Sequence, residues 1–236
     1  MKLRFEKEHV LAVVAHPDDA ELLCAGTLAR AKAEGATIGI CVLCRGDKGQ
    51  PDPPIENLGD VRSGEMKAAA ELLGAELLEG GFGDGELCDS VASRKTVIGL
   101  VRQFRPTLLL AHAANDYHPD HHAASLLAEA VSWFSASAGH KTEHARLAKP
   151  PALWCLDTVE MIDFKPHFYV DVSAFVELKR QMLRCHKSQL ARGRNADFSP
   201  LEEVMTRQCK ARGAQSGVAG AEAFRSHGAW KRIGAW

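Results

Sequence analysis

The 236-residue chain has almost no excess of charge of either sign: 29 Lys and Arg against 30 Asp and Glu leave a formal net charge of -1. That balance excludes the basic footprint on which nucleic-acid binding rests, so no nucleic acid is expected as a partner. No stretch approaches the ~18 consecutive apolar residues of a spanning helix, so no membrane span is expected. Met1 to His9 is charged and lacks an apolar core, which argues against a secretory leader. Repeats at solenoid periods and low-complexity tracts are also missing. Seven cysteines, an odd number, then read as reduced thiols of a cytoplasmic protein. Cys41-Val42-Leu43-Cys44 spells Cys-x-x-Cys inside an apolar, strand-like run. Residues three apart on a regular strand point to opposite faces, so core thiols are expected rather than a redox pair or chelate.

What is present is an alternation of short apolar runs with helical patterns. Strands are expected at about residues 10–15, Thr37 to Leu43, Glu76 to Glu79 and Thr107 to Ala111. Between them fall helices from Ala20 to Glu34, Asp60 to Leu73 and Ser90 to Phe104. A further helix runs to about Ser135, and Ser137 to Pro151 reads as an exposed connection. Ala152 to Asp157 and Phe168 to Val170 are further strand candidates. Ser173 opens a helix to about Cys185, Arg192 to Phe198 reads as a mobile loop, and Ser199-Pro200 starts another helix. The fold class expected is α/β: a single Rossmann-like domain over 1–236, with a mostly parallel, doubly wound sheet and helices on both faces. The part from about residue 173 is expected to be mainly helical.

Chemistry concentrates at two places. The first strand runs into His16-Pro17-Asp18-Asp19-Ala20-Glu21, and the fourth into a segment ending His118-Pro119-Asp120-His121-His122. Each cluster follows a strand and opens a helix. In a doubly wound sheet the C-terminal ends of strands one and four flank the topological switch point, where ligands bind. Clusters a hundred residues apart are therefore expected to meet. The first strand-helix turn has no Gly-x-Gly-x-x-Gly, and its carboxylates would repel a pyrophosphate, which excludes a dinucleotide. Two imidazoles and one carboxylate make a catalytic zinc set with a position left open for water. His16, Asp19, His118 and His121 are the best-placed donors, with Asp18 and Asp120 beside them. Spacing alone leaves open which three bind metal. His112 stands just past strand four, and His122, one residue beyond His121, should point about 100° away.

The two His-Pro-Asp signatures resemble those of the LmbE-like (PIG-L) zinc-dependent de-N-acetylases. Arg62-x-x-Glu65, Phe82-Gly83-Asp84, His186-Lys187-Ser188-Gln189 and Glu222-Ala223-Phe224-Arg225 extend the likeness along most of the chain. The resemblance implies that His16, Asp19 and His121 hold zinc, with ferrous iron the alternative in the cell. It implies Asp18 as general base and His118 as a cationic oxyanion partner that also protonates the leaving amine. Asp120 would orient His118 and raise its basicity. The substrate implied is a small acetylated amino sugar, an N-acetylglucosamine conjugate, and the assembly a homo-oligomer, trimer or hexamer. Arg62, Asp84, Asp116 and Tyr117 are candidates for holding the substrate; for Arg62 the competing assignment is a surface ion pair with Glu65. The loop Arg45 to Gly59 departs from the family pattern through the stiff Pro51-Asp52-Pro53-Pro54 and is expected to form a pocket wall. A metal-dependent amidase or esterase on a non-sugar substrate, and a non-catalytic sugar-binding module, are the alternatives.

Overall fold

Strand β1, His9–Val14, lies inside the sheet, and Val10 to Val14 are fully buried because strands flank both of its edges. The computed structural model describes residues 4–192 and 200–228. Its seven strands are β1, β2 (Thr37–Cys44), β3 (Glu76–Phe82), β4 (Leu108–Ala111), β5 (Ala152–Leu156), β6 (Phe168–Asp171) and β7 (Ala221–Ser226). They form one sheet in the order β3-β2-β1-β4-β5-β7-β6. Strands β3 to β5 in that order pair in parallel, whereas β7 is antiparallel to both of its neighbours. The chain steps outward from β1 through β2 to β3, then crosses back to lay β4 on the other side of β1. The expected switch point is therefore present between β1 and β4.

Helices cover both faces. Ile40, Val42, Leu108 and Leu110 pack into one core, while Leu11, Val13, Cys41 and Leu109 pack into the other. The alternation along each strand sorts its side chains between the two layers. The major helices are α1 (Asp19–Leu23), α2 (Ala25–Ala33), α3 (Leu58–Leu73), α4 (Val91–Phe104) and α5 (Pro119–Phe134). After a short 3₁₀ turn at Ser173–Phe175 come α6 (Val176–Leu183), α7 (Lys187–Arg192) and α8 (Leu201–Ser216). Most of the expected Arg192 to Phe198 loop, together with Ser199, lies outside the described residues. No helix among the described residues is long and apolar enough to cross a membrane.

Two local expectations fail, each for a reason outside the segment concerned. The single helix expected from Ala20 to Glu34 is broken at Cys24, whose φ of -149° leaves the helical region. The break is held by distant residues. Glu222 accepts hydrogen bonds from the amides of Gly26 (2.9 Å) and Thr27 (2.7 Å), capping α2. Lys179 pairs with Glu222 and donates to the carbonyl of Leu22 at 3.1 Å. Gly26 permits this approach, since a Cβ there would stand 2.7 Å from that of Val172. The part from residue 173 carries α6, α7 and α8 and one strand, β7, which inserts between β5 and β6. Finally, the β2–β3 register shifts between Val42 and Cys44, so Cys44 packs with Cys41 and Leu43 instead of alternating away from them. All seven cysteines are free.

Candidate metal centre and active site

Strand β1 ends at Val14, and a left-handed Asp18 (φ 106°) turns the chain sharply into α1. Strand β4 ends at Ala111, and the chain reaches α5 through a loop whose last residue, His118, caps that helix. Both turns open at the same end of the sheet. The ring centroids of His16 and His118 lie 4.7 Å apart, those of His118 and His121 5.0 Å, and those of His16 and His121 5.4 Å. The two clusters meet where the topology places them.

Asp19 stands between two of these imidazoles. Its Oδ2 is 3.5 Å from Nδ1 of His16, and its Oδ1 is 3.4 Å from Nε2 of His121. Around a tetrahedral ion with bonds of about 2.0–2.1 Å, neighbouring donor atoms sit about 3.3 Å apart; each of these two pairs has about that spacing, one through each oxygen of Asp19. The rear nitrogens fit it too. Nε2 of His16 is 3.0 Å from Oδ2 of Asp120, and Nδ1 of His121 is 3.0 Å from Oδ1 of Asp116. Carboxylates behind ligating imidazoles fix ring orientation and raise donor strength. Ring nitrogens of His16, His118 and His121 also converge within 4.8 Å, as do donors of Asp19, His112 and His121.

The electrostatics point the same way. Burial pulls His16 down, but hydrogen bonds to Asp120 and Asp19 outweigh it and raise its pKa to about 9. Burial likewise opposes His121, and the charge of Asp19 with the Asp116 hydrogen bond carries it to about 10. Asp19 resists the upward push of its own burial because His121 and His112 hold it well below the usual carboxylate range. A field that retains protons on two imidazoles is one that draws in a cation.

Asp18 lies beside this cluster. Burial raises its pKa against the opposing charge of Arg62, whose Nη2 is 3.0 Å from Oδ2. Arg62 is 3% exposed and also donates to the carbonyls of Pro17 and Gly46. The surface pair with Glu65 does not form; Glu65 accepts from the amide (2.8 Å) and hydroxyl (2.6 Å) of Ser188. His118 is kept low, first by burial and then by His16 and His121, and its Nδ1 accepts the Asp120 amide at 3.1 Å. A neutral imidazole in this arrangement carries its proton on Nε2. Burial and the neighbouring His16 and His121 thus work against the cationic His118 expected from the sequence.

Several side chains stand elsewhere than expected. The Asp120 carboxylate does not orient His118, from which it is 3.9 Å distant; it holds His16 and accepts the Gly85 amide at 2.8 Å. Asp116 is buried behind His121 and accepts the Val159 amide (3.1 Å), so it cannot face a substrate. Asp84 lines the cavity, but its two oxygens receive the amides of Gly46 (2.7 Å) and Lys48 (3.1 Å), pinning the loop after β2. Tyr117 lines the cavity and is 68% exposed. His122 turns away to the carbonyl of Asp116.

The cavity holds about 730 Å³ and is walled by both clusters, Arg62, Asp84, Tyr117 and Lys48. That volume suits a small organic ligand. Of the wall, Glu160 and Arg192 are marked by no motif, whereas Lys48 lies in the loop expected to form a wall and Gln189 in the His186–Gln189 likeness. Sequence reasoning left His112 without a part; its Nε2 is 3.2 Å from Asp19, and its place just past β4 mirrors that of His16 past β1.

Known proteins resemble this chain over most of its length. Diacetylchitobiose deacetylase of Thermococcus kodakarensis is 29% identical over 76% of this chain and 69% of its own. The 4-oxalmesaconate hydratase of Pseudomonas putida is 23% identical over 89% of this chain and 81% of its own. A conserved protein of Thermus thermophilus superposes with a TM-score of 0.81 at 31% identity, covering 96% of this chain and all of that one. Residues 11–132, which carry both clusters, match the family described as GlcNAc-PI de-N-acetylase, and the chain belongs to this PIG-L family.

Proposed function

We propose that the chain is a zinc-dependent deacetylase acting on a small molecule that contains N-acetylglucosamine. The observation that carries this is a buried carboxylate, Asp18, set beside the imidazole–carboxylate cluster at the floor of an open cavity. His16, Asp19 and His121 would hold the ion, which when bound supplies a Lewis acid and a water with a pKa near about 7. Imidazole and carboxylate donors suit zinc and ferrous iron alike.

The remaining work falls to this chain's side chains. Asp18 takes the proton of the attacking water, and Arg62 keeps its carboxylate aimed. Nε2–H of the neutral His118 hydrogen-bonds the carbonyl oxygen as charge gathers on it. A neutral imidazole is a poor acid, so the proton held on Asp18 is the one returned to the leaving amine. Asp120 and Asp116 fix the rings of His16 and His121. The wall formed by Arg62, Asp84 and Tyr117 is where sugar hydroxyls would lie.

A metal-dependent hydratase is the second reading, favoured by the relative of that activity that spans most of this chain. Water addition to a carbon–carbon double bond needs the same base but frees no acetate. Metal-reconstituted protein should release acetate and free amine in equal amounts from diacetylchitobiose and other N-acetylglucosamine conjugates, and a chelator should stop it. Equal turnover of acetylated amines that lack a sugar would overturn the substrate assignment. No acetate from any of them, with zinc bound, would overturn deacetylation itself.

A further inference from the structure

The mechanism above gives no part to Cys44, a thiol beside the site. Cys44 ends β2 at the point where its pairing with β3 shifts register. A bulge at a strand end re-aims the side chain. Here a ring nitrogen of His16, Sγ of Cys44 and a carboxylate oxygen of Asp120 come within 4.8 Å of one another. The His16 nitrogen on that side is Nε2, which touches Asp120 at 3.0 Å, while Nδ1 faces Asp19. Imidazole, thiolate and carboxylate together form a donor set for zinc and its softer relatives, and thiolate is the component that hard ions such as magnesium avoid. His16 and Asp120 both open on the cavity, which gives an ion a way in.

We propose that Cys44, Asp120 and Nε2 of His16 form a second site for a thiophilic divalent ion, whose occupation switches the active site off. It rests on the reading that His16 Nδ1, Asp19 and His121 hold the first ion. Binding releases two protons to solvent, one from Sγ and one from Nε2, leaving His16 as an imidazolate between two ions. The cost falls on catalysis. Asp120 leaves the His16 ring and the Gly85 amide, and the second charge lies beside His118, where the carbonyl oxygen must be met. One zinc per chain then supports turnover and a second removes it.

Cobalt(II) is the direct probe, because a cobalt–thiolate bond absorbs in the near ultraviolet. Full-length protein should take up two cobalt ions per chain, the thiolate band growing only with the second. Zinc added beyond one equivalent should remove activity over the same range. Cys44→Ser and Cys44→Ala should each bind one ion, lose the band and keep the activity of the one-zinc enzyme. The zinc needed for half-inhibition should rise at least about tenfold. Cys88 is exposed, so the titration is run also on Cys88→Ser, which should behave like the parent. A single cobalt per chain in the parent, a band that survives in both Cys44 variants, or unchanged zinc inhibition in them would overturn the proposal. The cobalt count and spectrum need no substrate, so failure of the deacetylase reading would leave this test standing.

Discussion

Oδ1 of Asp116 stands 3.0 Å from Nδ1 of His121, on the far side of the ring from Asp19. The loop between β4 and α5 thus carries not only an imidazole for the centre but also the carboxylate that fixes it. Asp116 braces the loop as well, through the Tyr117 and Val159 amides. Replacing it by Asn keeps the shape and removes the charge. Asp116→Asn should weaken zinc affinity about 10–100-fold. The enzyme should regain much of its turnover when zinc is raised. Competition with a chromogenic chelator measures the affinity, and an unchanged value would mean that His121 does not ligate through Nε2.

Asp18 calls for the opposite split. It borders the cluster but reaches Arg62 rather than an imidazole. Asp18→Asn should leave zinc content at the wild-type level and lower kcat by about a hundred- to ten-thousand-fold. Metal analysis and acetate release on the same preparation check both halves. Loss of the metal together with the activity would make Asp18 a ligand instead of a base.

How much of this could be read from the sequence depends on how local each cause is. Strands β1 to β4 and the meeting of the clusters follow from apolar runs alternating with helical patterns, plus one topological rule. What escaped was set by partners far along the chain. Nothing within residues 20–34 says that the helix breaks at Cys24, because Glu222 and Lys179 hold the break. The partners of Asp116 and Asp120 were missed because a carboxylate with several histidines nearby in the chain can reach any of them, or one on another loop, and the loop path decides. Asp120 meets His16, 104 residues away on the other loop, and not the His118 two residues before it. The faces of Cys41 and Cys44 were misjudged because alternation assumes unbroken register, and a bulge breaks it.

The same distant pair invites a stability test. Lys179 and Glu222 are both buried, and between them they hold the carbonyl of Leu22 and the amides of Gly26 and Thr27. Removing one partner strands the other charge inside the protein. Lys179→Met should cost about 3–5 kcal/mol in urea unfolding. Adding Glu222→Gln should cost less than the sum of the two single changes, since the stranded charge is gone. A loss below about 1 kcal/mol in the single variant would mean that the pair does not hold the α1–α2 break.

A second buried pair should show itself through pH. Nε2 of His186 is 3.4 Å from Oε1 of Glu21, both side chains are fully buried, and neither has a hydrogen-bond partner among the described residues. Burial pulls His186 down, but the charge of Glu21 outweighs it and raises the imidazole above its ordinary value. The folded protein then holds that proton more tightly than the unfolded chain. Its stabilising contribution is full below the unfolded value of about 6.5 and is lost as pH rises through the higher folded value. Glu21→Gln removes the charge that raises His186. The stability difference between wild type and this variant should be largest at the acid end of a series from about pH 5.5 to 9, and should shrink on the alkaline side. Urea midpoints across that range measure it. A difference that stays constant with pH would mean that His186 is neutral in the folded protein and that Glu21 acts on it only by packing.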